Sequence, residues 1–133
     1  GLDLGSKRIG VSICDERQSI ATPFKTINKT NTNELIDELK IIIKDNNIGG
    51  IIIGNPVNMD GSLGRSAQSV NDVASNISQS IDLPVILWDE RLSTVGAFNL
   101  SSLLDVNVSK RVKTIDQNAA AFILQGAIDF LNN

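Results

Sequence analysis

The stretch Gly1-Leu2-Asp3-Leu4-Gly5-Ser6-Lys7-Arg8-Ile9-Gly10-Val11-Ser12-Ile13-Cys14 decides the fold. Ile9, Val11 and Ile13 alternate with the small residues Gly10, Ser12 and Cys14, the period of two that marks a strand with one tightly covered face. Gly5-Ser6-Lys7-Arg8 is a short turn, so the first two apolar runs form a hairpin. Asp15-Glu16-Arg17-Gln18 is a second polar turn, and a third strand is expected around Ile20 to Ile27, with Pro23 pointing to an edge position. The result is a three-stranded antiparallel start. Because the chain opens inside an apolar alternation and without Met, a short segment is expected to precede Gly1.

Beyond this meander the period changes. Leu35, Ile36, Leu39, Ile42 and Ile43 are spaced as one helical face between Asn31 and Asn46, with Asn31 and Glu34 set as cap and N3 partner. Asn46-Asn47 and Gly49-Gly50 end that helix. Ile51-Ile52-Ile53 reads as a strand buried on both faces. A polar loop over 54–65 leads to a second helix with Ala67, Val70, Val73, Ala74, Ile77 and Ile81 inward. Pro84-Val85-Ile86-Leu87-Trp88 reads as another buried strand. Two helices follow, roughly Thr94 to Leu104 and Thr114 to Leu131. The last carries a Thr114/Gln117 capping box and a face of Ile115, Ala119, Phe122, Ile123, Ala127 and Phe130. Trp88 and the four Phe residues read as core, and Cys14 as a small core residue. The order β-β-β-α-β-α-β-α-α predicts an α/β fold, a five-stranded mixed sheet with helices on both faces. No repeat, low-complexity tract or linker interrupts it, so residues 1–133 read as a single domain.

Composition narrows the chemistry. The 133 residues include 12 Lys and Arg, 15 Asp and Glu and no His, for a net charge of −3. Without His there is no Ser-His-Asp triad, histidine base or His-ligated zinc. One Cys excludes a disulfide framework and fits a reducing, cytoplasmic compartment. No apolar run approaches the ~20 residues of a membrane span. Carboxylates, hydroxyls, Lys and Arg remain for catalysis.

Acids fall where the functional edge of such a sheet lies. Asp3 interrupts the apolar first strand, Asp89-Glu90 follows the last strand, and Asp116 sits in the expected first turn of the last helix. In open α/β sheets the ligand crevice lies at the carboxyl ends of parallel strands. Carboxylates gathered there repel unless a hard cation such as Mg²⁺ or Mn²⁺ joins them, and two such ions can activate water for phosphodiester hydrolysis. Each acid also has a plainer explanation. Asp116 suits a helix N-terminus electrostatically, and Asp89 or Glu90 can cap a helix or pair with Arg91. Asp3 is the hardest to explain without a partner or a metal, because an unpaired acid in a central strand is costly.

Other segments suit phosphate. Gly5 lets main chain approach a phosphate, with Lys7 and Arg8 beside it. The loop Gly54-Asn55-Pro56-Val57-Asn58-Met59-Asp60-Gly61 offers N–H groups ahead of a helix, with Asn58, Asp60 and Gly61 at its centre. Lys110-Arg111-Val112-Lys113 is a basic run in the expected final connection. Setting aside Asp3, Asp89, Glu90 and Asp116 turns the balance to 12 − 11 = +1, so net charge does not count against a nucleic-acid partner.

Four blocks together, 1–11, Gly-Asn-Pro-Val-Asn-Met-Asp-Gly-Ser (54–62), Asp-Glu-Arg-Leu-Ser-Thr (89–94) and Asp-Gln-Asn-Ala-Ala-Ala-Phe-Ile-Leu-Gln (116–125), resemble the motifs of the bacterial YqgF/RuvX family. These are Holliday junction resolvases, also described as nucleases maturing the precursor of 16S rRNA. The resemblance implies an RNase H-like fold and a divalent-metal-dependent, two-metal-type endonuclease acting on an rRNA precursor or branched DNA. It implies metal ligation by Asp3, Glu90 (in preference to Asp89) and Asp116, and phosphate contacts from Lys7, Arg8, Arg91, Lys110, Arg111 and Lys113. Asn55 departs from the family, which usually carries an apolar residue there. Either a monomer or a homodimer suits this reading. Two other classes compete: an ATP-binding module of the actin-like or sugar-kinase type, which needs two lobes, and a catalytically silent RNA-associated protein.

Overall fold

The computed structural model describes residues 1–5, 7–28, 31–55, 65–89 and 108–132, and for 65–67 and 108–117 the main chain alone. Its elements are β1 (Leu2–Leu4), β2 (Arg8–Cys14), β3 (Ala21–Asn28), α1 (Thr32–Asn46), β4 (Ile51–Asn55), α2 (Arg65–Ser80), β5 (Val85–Asp89) and α3 (Val108–Leu131). The five strands form one sheet in the order β3-β2-β1-β4-β5. β1, β2 and β3 pair antiparallel, while β1-β4 and β4-β5 pair parallel. Pro23 thus lies on an outer strand, as its missing N–H requires.

The two faces of the sheet are built differently. Register places Leu2, Leu4, Ile9, Val11, Ile51, Ile53 and Val85 on one face. There they join Leu35, Ile36, Leu39 and Ile42 of α1 and Val70, Ala74 and Ile77 of α2 in a single aliphatic core. Asn31 caps α1 through its side chain, which accepts from the Glu34 N–H at 2.9 Å. Asn47 ends it in the left-handed region (φ 52°), its N–H donating to the Ile43 carbonyl.

The opposite face presents Gly1, Asp3, Gly10, Ser12, Ile52, Gly54, Ile86 and Trp88, and α3 lies across it. Gly10, Ser12 and Gly54 are buried, as are Ala119, Ala120 and Ala121 of the helix. Small residues on both sides let the helix main chain approach the strands. The Ser12 hydroxyl donates to the Ala120 carbonyl at 2.8 Å, and a Cβ at Gly1 would stand 2.8 Å from that carbonyl oxygen.

Several expectations are corrected. The last helix starts at Val108, so Thr114 and Gln117 are interior positions; residues 108–113 hold neither Gly nor Pro and extend the helix upstream of the apparent box. Lys110, Arg111 and Lys113 therefore belong to a helix and not to a connection, and Asp116 lies well beyond the first turn, where the macrodipole argument lapses. β5 is an end strand, and among the described residues Ile86 and Leu87 remain 49% and 38% exposed. Phe24, on the end strand β3 where its register with β2 shifts, is 39% exposed, and Phe122 and Phe130 are 37% and 68% exposed because the buried stripe of α3 runs through Ala120, Ile123, Leu124, Ala127 and Ile128. Cys14, a free thiol, is only partly buried. The helix expected over 94–104 lies outside the described residues.

Candidate nuclease site

Asp3 sits near the carboxyl end of β1, partly buried, on the face that α3 covers. It pairs with Gly10 on β2. On the other side, the Leu2–Ile53 pairing puts Gly54 of β4 next to it, and Gly54 pairs in turn with Trp88. Two glycines therefore flank the carboxylate, and neither places a side chain in the space beside it. Asp3 has interaction partners of its own within the fold. Arg8, two positions before Gly10 on β2, shares the Asp3 face, while Lys7 is exposed in the turn. Gly5 shapes that turn: its N–H donates to the Arg8 carbonyl at 2.9 Å, and a Cβ there would lie 2.5 Å from the same oxygen. Gly5 is thus first a requirement of the hairpin.

Asp89 ends β5 in register with Asn55, one position out of phase with Asp3, so the two carboxylates leave opposite faces of the sheet. The Oδ1 atom of Asn55 and the indole N–H of Trp88 are buried without a hydrogen-bond partner among the described residues.

The direction of α3 follows from its contacts. Gln125 clasps the β2–β3 turn, its Nε2 donating to the Ser19 carbonyl (3.0 Å) and its Oε1 accepting from the Ala21 N–H (2.8 Å). Asn132 Nδ2 donates to the Gln18 carbonyl at 2.9 Å. That turn lies at the end of the sheet away from the carboxyl end of β1. The helix therefore runs antiparallel to β1, with its N-terminal half over the Asp3 end. Asp116 precedes Ala120 by one turn, about 6 Å along the axis. Asp3 lies two residues, about 6.6 Å, beyond Gly1, which packs under Ala120. The helix main chain at 116 and the strand at Asp3 are thus displaced in the same direction by nearly the same amount. Ser12 and Gln125, which fix the helix, were not among the site residues expected from the sequence. The alternation of small residues on β2 was the only signal for Ser12.

Glu90, Arg91, Asn58, Asp60 and Gly61 lie outside the described residues, as do the side chains of Asp116, Lys110, Arg111 and Lys113. Among the described residues no three of His, Cys, Asp and Glu gather to hold a metal.

A family profile described as "RuvX: Holliday junction resolvase" matches residues 1–130. The chain belongs to the RuvX family. A Pelagibacter ubique (strain HTCC1062) protein is 98% identical over all of this chain and 88% of its own length. One from Cereibacter sphaeroides (strain ATCC 17025) is 46% identical over 99% of this chain and 82% of its own. A third, from Paramagnetospirillum magneticum, is 41% identical over 97% and 83%. All three carry the name "Putative pre-16S rRNA nuclease". The five-stranded mixed sheet with helices on both faces is the arrangement expected of an RNase H-like member of this family.

Proposed function

We propose that this RuvX-family chain is a divalent-metal-dependent endonuclease acting on structured nucleic acid, a 16S rRNA precursor or a four-way DNA junction, with residues 1–133 as one catalytic domain. The observation that carries the reading is Asp3: a carboxylate at the carboxyl end of a central strand, flanked by Gly10 and Gly54, under the half of α3 that carries Asp116. The space beside two glycines suits a cation and a phosphate oxygen, and an all-carboxylate donor set suits Mg²⁺ or Mn²⁺. Asp3, Glu90 and Asp116 would hold the metal. Glu90 is preferred to Asp89 by the family resemblance, and Asp89 leaves the sheet on the face opposite Asp3. When bound, the metal supplies Lewis-acid activation of water and charge neutralisation at the leaving oxygen, in two-metal fashion.

The chain's own residues then bind and orient. Arg8 shares the Asp3 face and Lys7 rises beside it, so both meet the phosphodiester backbone on approach; Arg91, Lys110, Arg111 and Lys113 extend that contact, and the loop with Asn58, Asp60 and Gly61 offers main-chain N–H groups. With no His in the chain, no imidazole moves the proton. Among the described residues no helix is long and apolar enough to cross a membrane; the proposed substrate is cytoplasmic nucleic acid.

The test is purified protein with Mg²⁺ or Mn²⁺ on a synthetic junction and on a precursor-rRNA fragment. Asp3→Asn should lower cleavage by on the order of a hundredfold or more with an unchanged circular dichroism spectrum. Full cleavage in excess EDTA, or by Asp3→Asn, would overturn the reading.

A further inference from the structure

The Ser12 side chain is buried, at 2% exposure, on the face of β2 that carries Gly10 and lies under α3. A hydroxyl taken out of water needs a partner, and this one donates to the Ala120 carbonyl at 2.8 Å. That carbonyl does not need the bond. Ala120 lies inside α3, so its oxygen already accepts from the N–H one turn on, at Leu124, and the hydroxyl takes its second lone pair. The bond ties helix to strand and is required by neither.

Around this bond the packing has little grip along the helix axis. Gly1, Gly10 and Gly54 present no side chain, and the buried Ala119, Ala120 and Ala121 present only methyl groups. Apolar contact is non-directional, so such surfaces set how close the helix lies and barely oppose its sliding. A hydrogen bond is directional. Ser12 holds Ala120 at its own level on the sheet, which is also the level of Gly1: the Gly1 nitrogen donates to the Ser12 carbonyl and the Ser12 N–H to the Gly1 carbonyl, both at 2.9 Å. From that level Asp3 lies two residues along β1, and the main chain of α3 at 116 lies one helical turn along in the same direction. One short side chain thus refers both positions to a common origin. Gln125 also ties α3 down, but about 13.5 Å along the axis from 116 and through a longer side chain to an exposed turn.

We infer that Ser12 is a positioning residue of the nuclease: its hydroxyl sets the height of α3 over β1, and with it the separation of Asp3 and Asp116 at which a divalent cation is held. The inference rests on the nuclease reading and deepens it. Ser12 acts through the helix main chain, so its loss is felt in metal affinity and not in the grip of Lys7 and Arg8 on the phosphate chain.

The experiment compares the wild-type chain with Ser12→Ala and Gln125→Ala. Ser12→Ala removes the hydroxyl and leaves the Ala120 and Gly1 carbonyls their main-chain donors. Mn²⁺ affinity is read by calorimetry without nucleic acid. The Mg²⁺ concentration for half-maximal cleavage is read on whichever substrate, junction or precursor fragment, the wild type cuts. Ser12→Ala should weaken Mn²⁺ binding about tenfold and raise the Mg²⁺ half-point by a similar factor, as is common for groups that orient metal ligands. Its binding of nucleic acid in EDTA, by fluorescence anisotropy, should equal that of the wild type. Gln125→Ala should melt at a lower temperature yet keep the wild-type Mn²⁺ affinity. Unchanged Mn²⁺ affinity in folded Ser12→Ala overturns the inference, and so does an equal loss in Gln125→Ala, which would mark general loosening. If Ser12→Ala does not fold by thermal melting, Ser12→Cys, close in shape but a far weaker donor, replaces it under the same criteria. Failure of the nuclease reading shows separately, as a wild-type chain that cuts neither substrate with either metal.

Discussion

The two faces of one sheet solve different problems. Toward α1 and α2, branched aliphatic residues such as Ile9, Ile53 and Ile77 (1%, 0% and 0% exposed) fill a thick interface. Toward α3, Gly1 and Ser12 pack against Ala120 on a face that also carries Gly10 and Gly54, so the helix backbone comes within hydrogen-bond reach of a strand residue. Thick aliphatic packing stabilises and tolerates adjustment. Close packing of small residues fixes a distance, and it does so on the face that carries Asp3. Stability and placement of the candidate site are thus divided between the two faces.

Breaking the aliphatic face should cost the most stability and the least chemistry. Ile53→Ala removes a fully buried side chain and should lower unfolding free energy by about 2–5 kcal/mol in a denaturant titration. Cleavage per folded molecule should stay near wild type below the melting range. If cleavage instead falls in step with that of Asp3→Asn, the division between the faces is wrong.

The small-residue face should respond the other way. Ala120→Leu inserts volume where the residue's own carbonyl already receives the Ser12 hydroxyl, so the helix must lift or tilt. Overpacking of this kind costs about 1–3 kcal/mol. Because α3 also carries Asp116, cleavage should fall by roughly tenfold or more, beyond what the stability loss explains, as a displaced catalytic group predicts. A variant as unstable as expected yet fully active would separate helix position from catalysis.

Much of this division was legible in the sequence. Alternation of Ile9, Val11 and Ile13 with Gly10, Ser12 and Cys14 announced a strand with one tightly covered face, and Asn31 with Glu34 announced the start of α1. Asp3 stood out because an acid among apolar strand residues needs a reason. Other features were not legible, for physical reasons. Thr114 and Gln117 match a capping box by type, but nothing in 108–113 stops a helix, so local pattern could not locate its start. Phe122 and Phe130 are as apolar as Ile123, yet a helix across a sheet buries one stripe, and Ala120, Ile123, Leu124, Ala127 and Ile128 took it. That Asp89 leaves the sheet on the face opposite Asp3 needed the registers β1–β4 and β4–β5, long-range pairings that no local window contains.

The smallest effect lies in the turn that α3 clasps. Asp15 accepts from the Ile20 N–H (2.9 Å), the Ser19 N–H (2.8 Å) and the Ser19 hydroxyl (2.8 Å). These bonds, the Ile20 N–H foremost, hold its carboxyl down from 3.8 to about 2. A carboxyl whose folded value is depressed stabilises the fold above its unfolded value. The contribution is lost as pH falls from about 4 through about 2. Asp15 is fully exposed, so the effect is modest. Asp15→Asn should lower the melting temperature slightly and by a constant amount above pH 5, and the gap to wild type should close between pH 4 and pH 2. The same turn supplies the Gln18 and Ser19 carbonyls to Asn132 and Gln125, so loosening it should free the C-terminal end of α3 first. Hydrogen exchange should then quicken near Asn132 in Asp15→Asn at neutral pH while Ile53 and Ile77 stay protected. Uniform quickening across both faces would show that the turn secures the whole fold and not the helix that crosses the site.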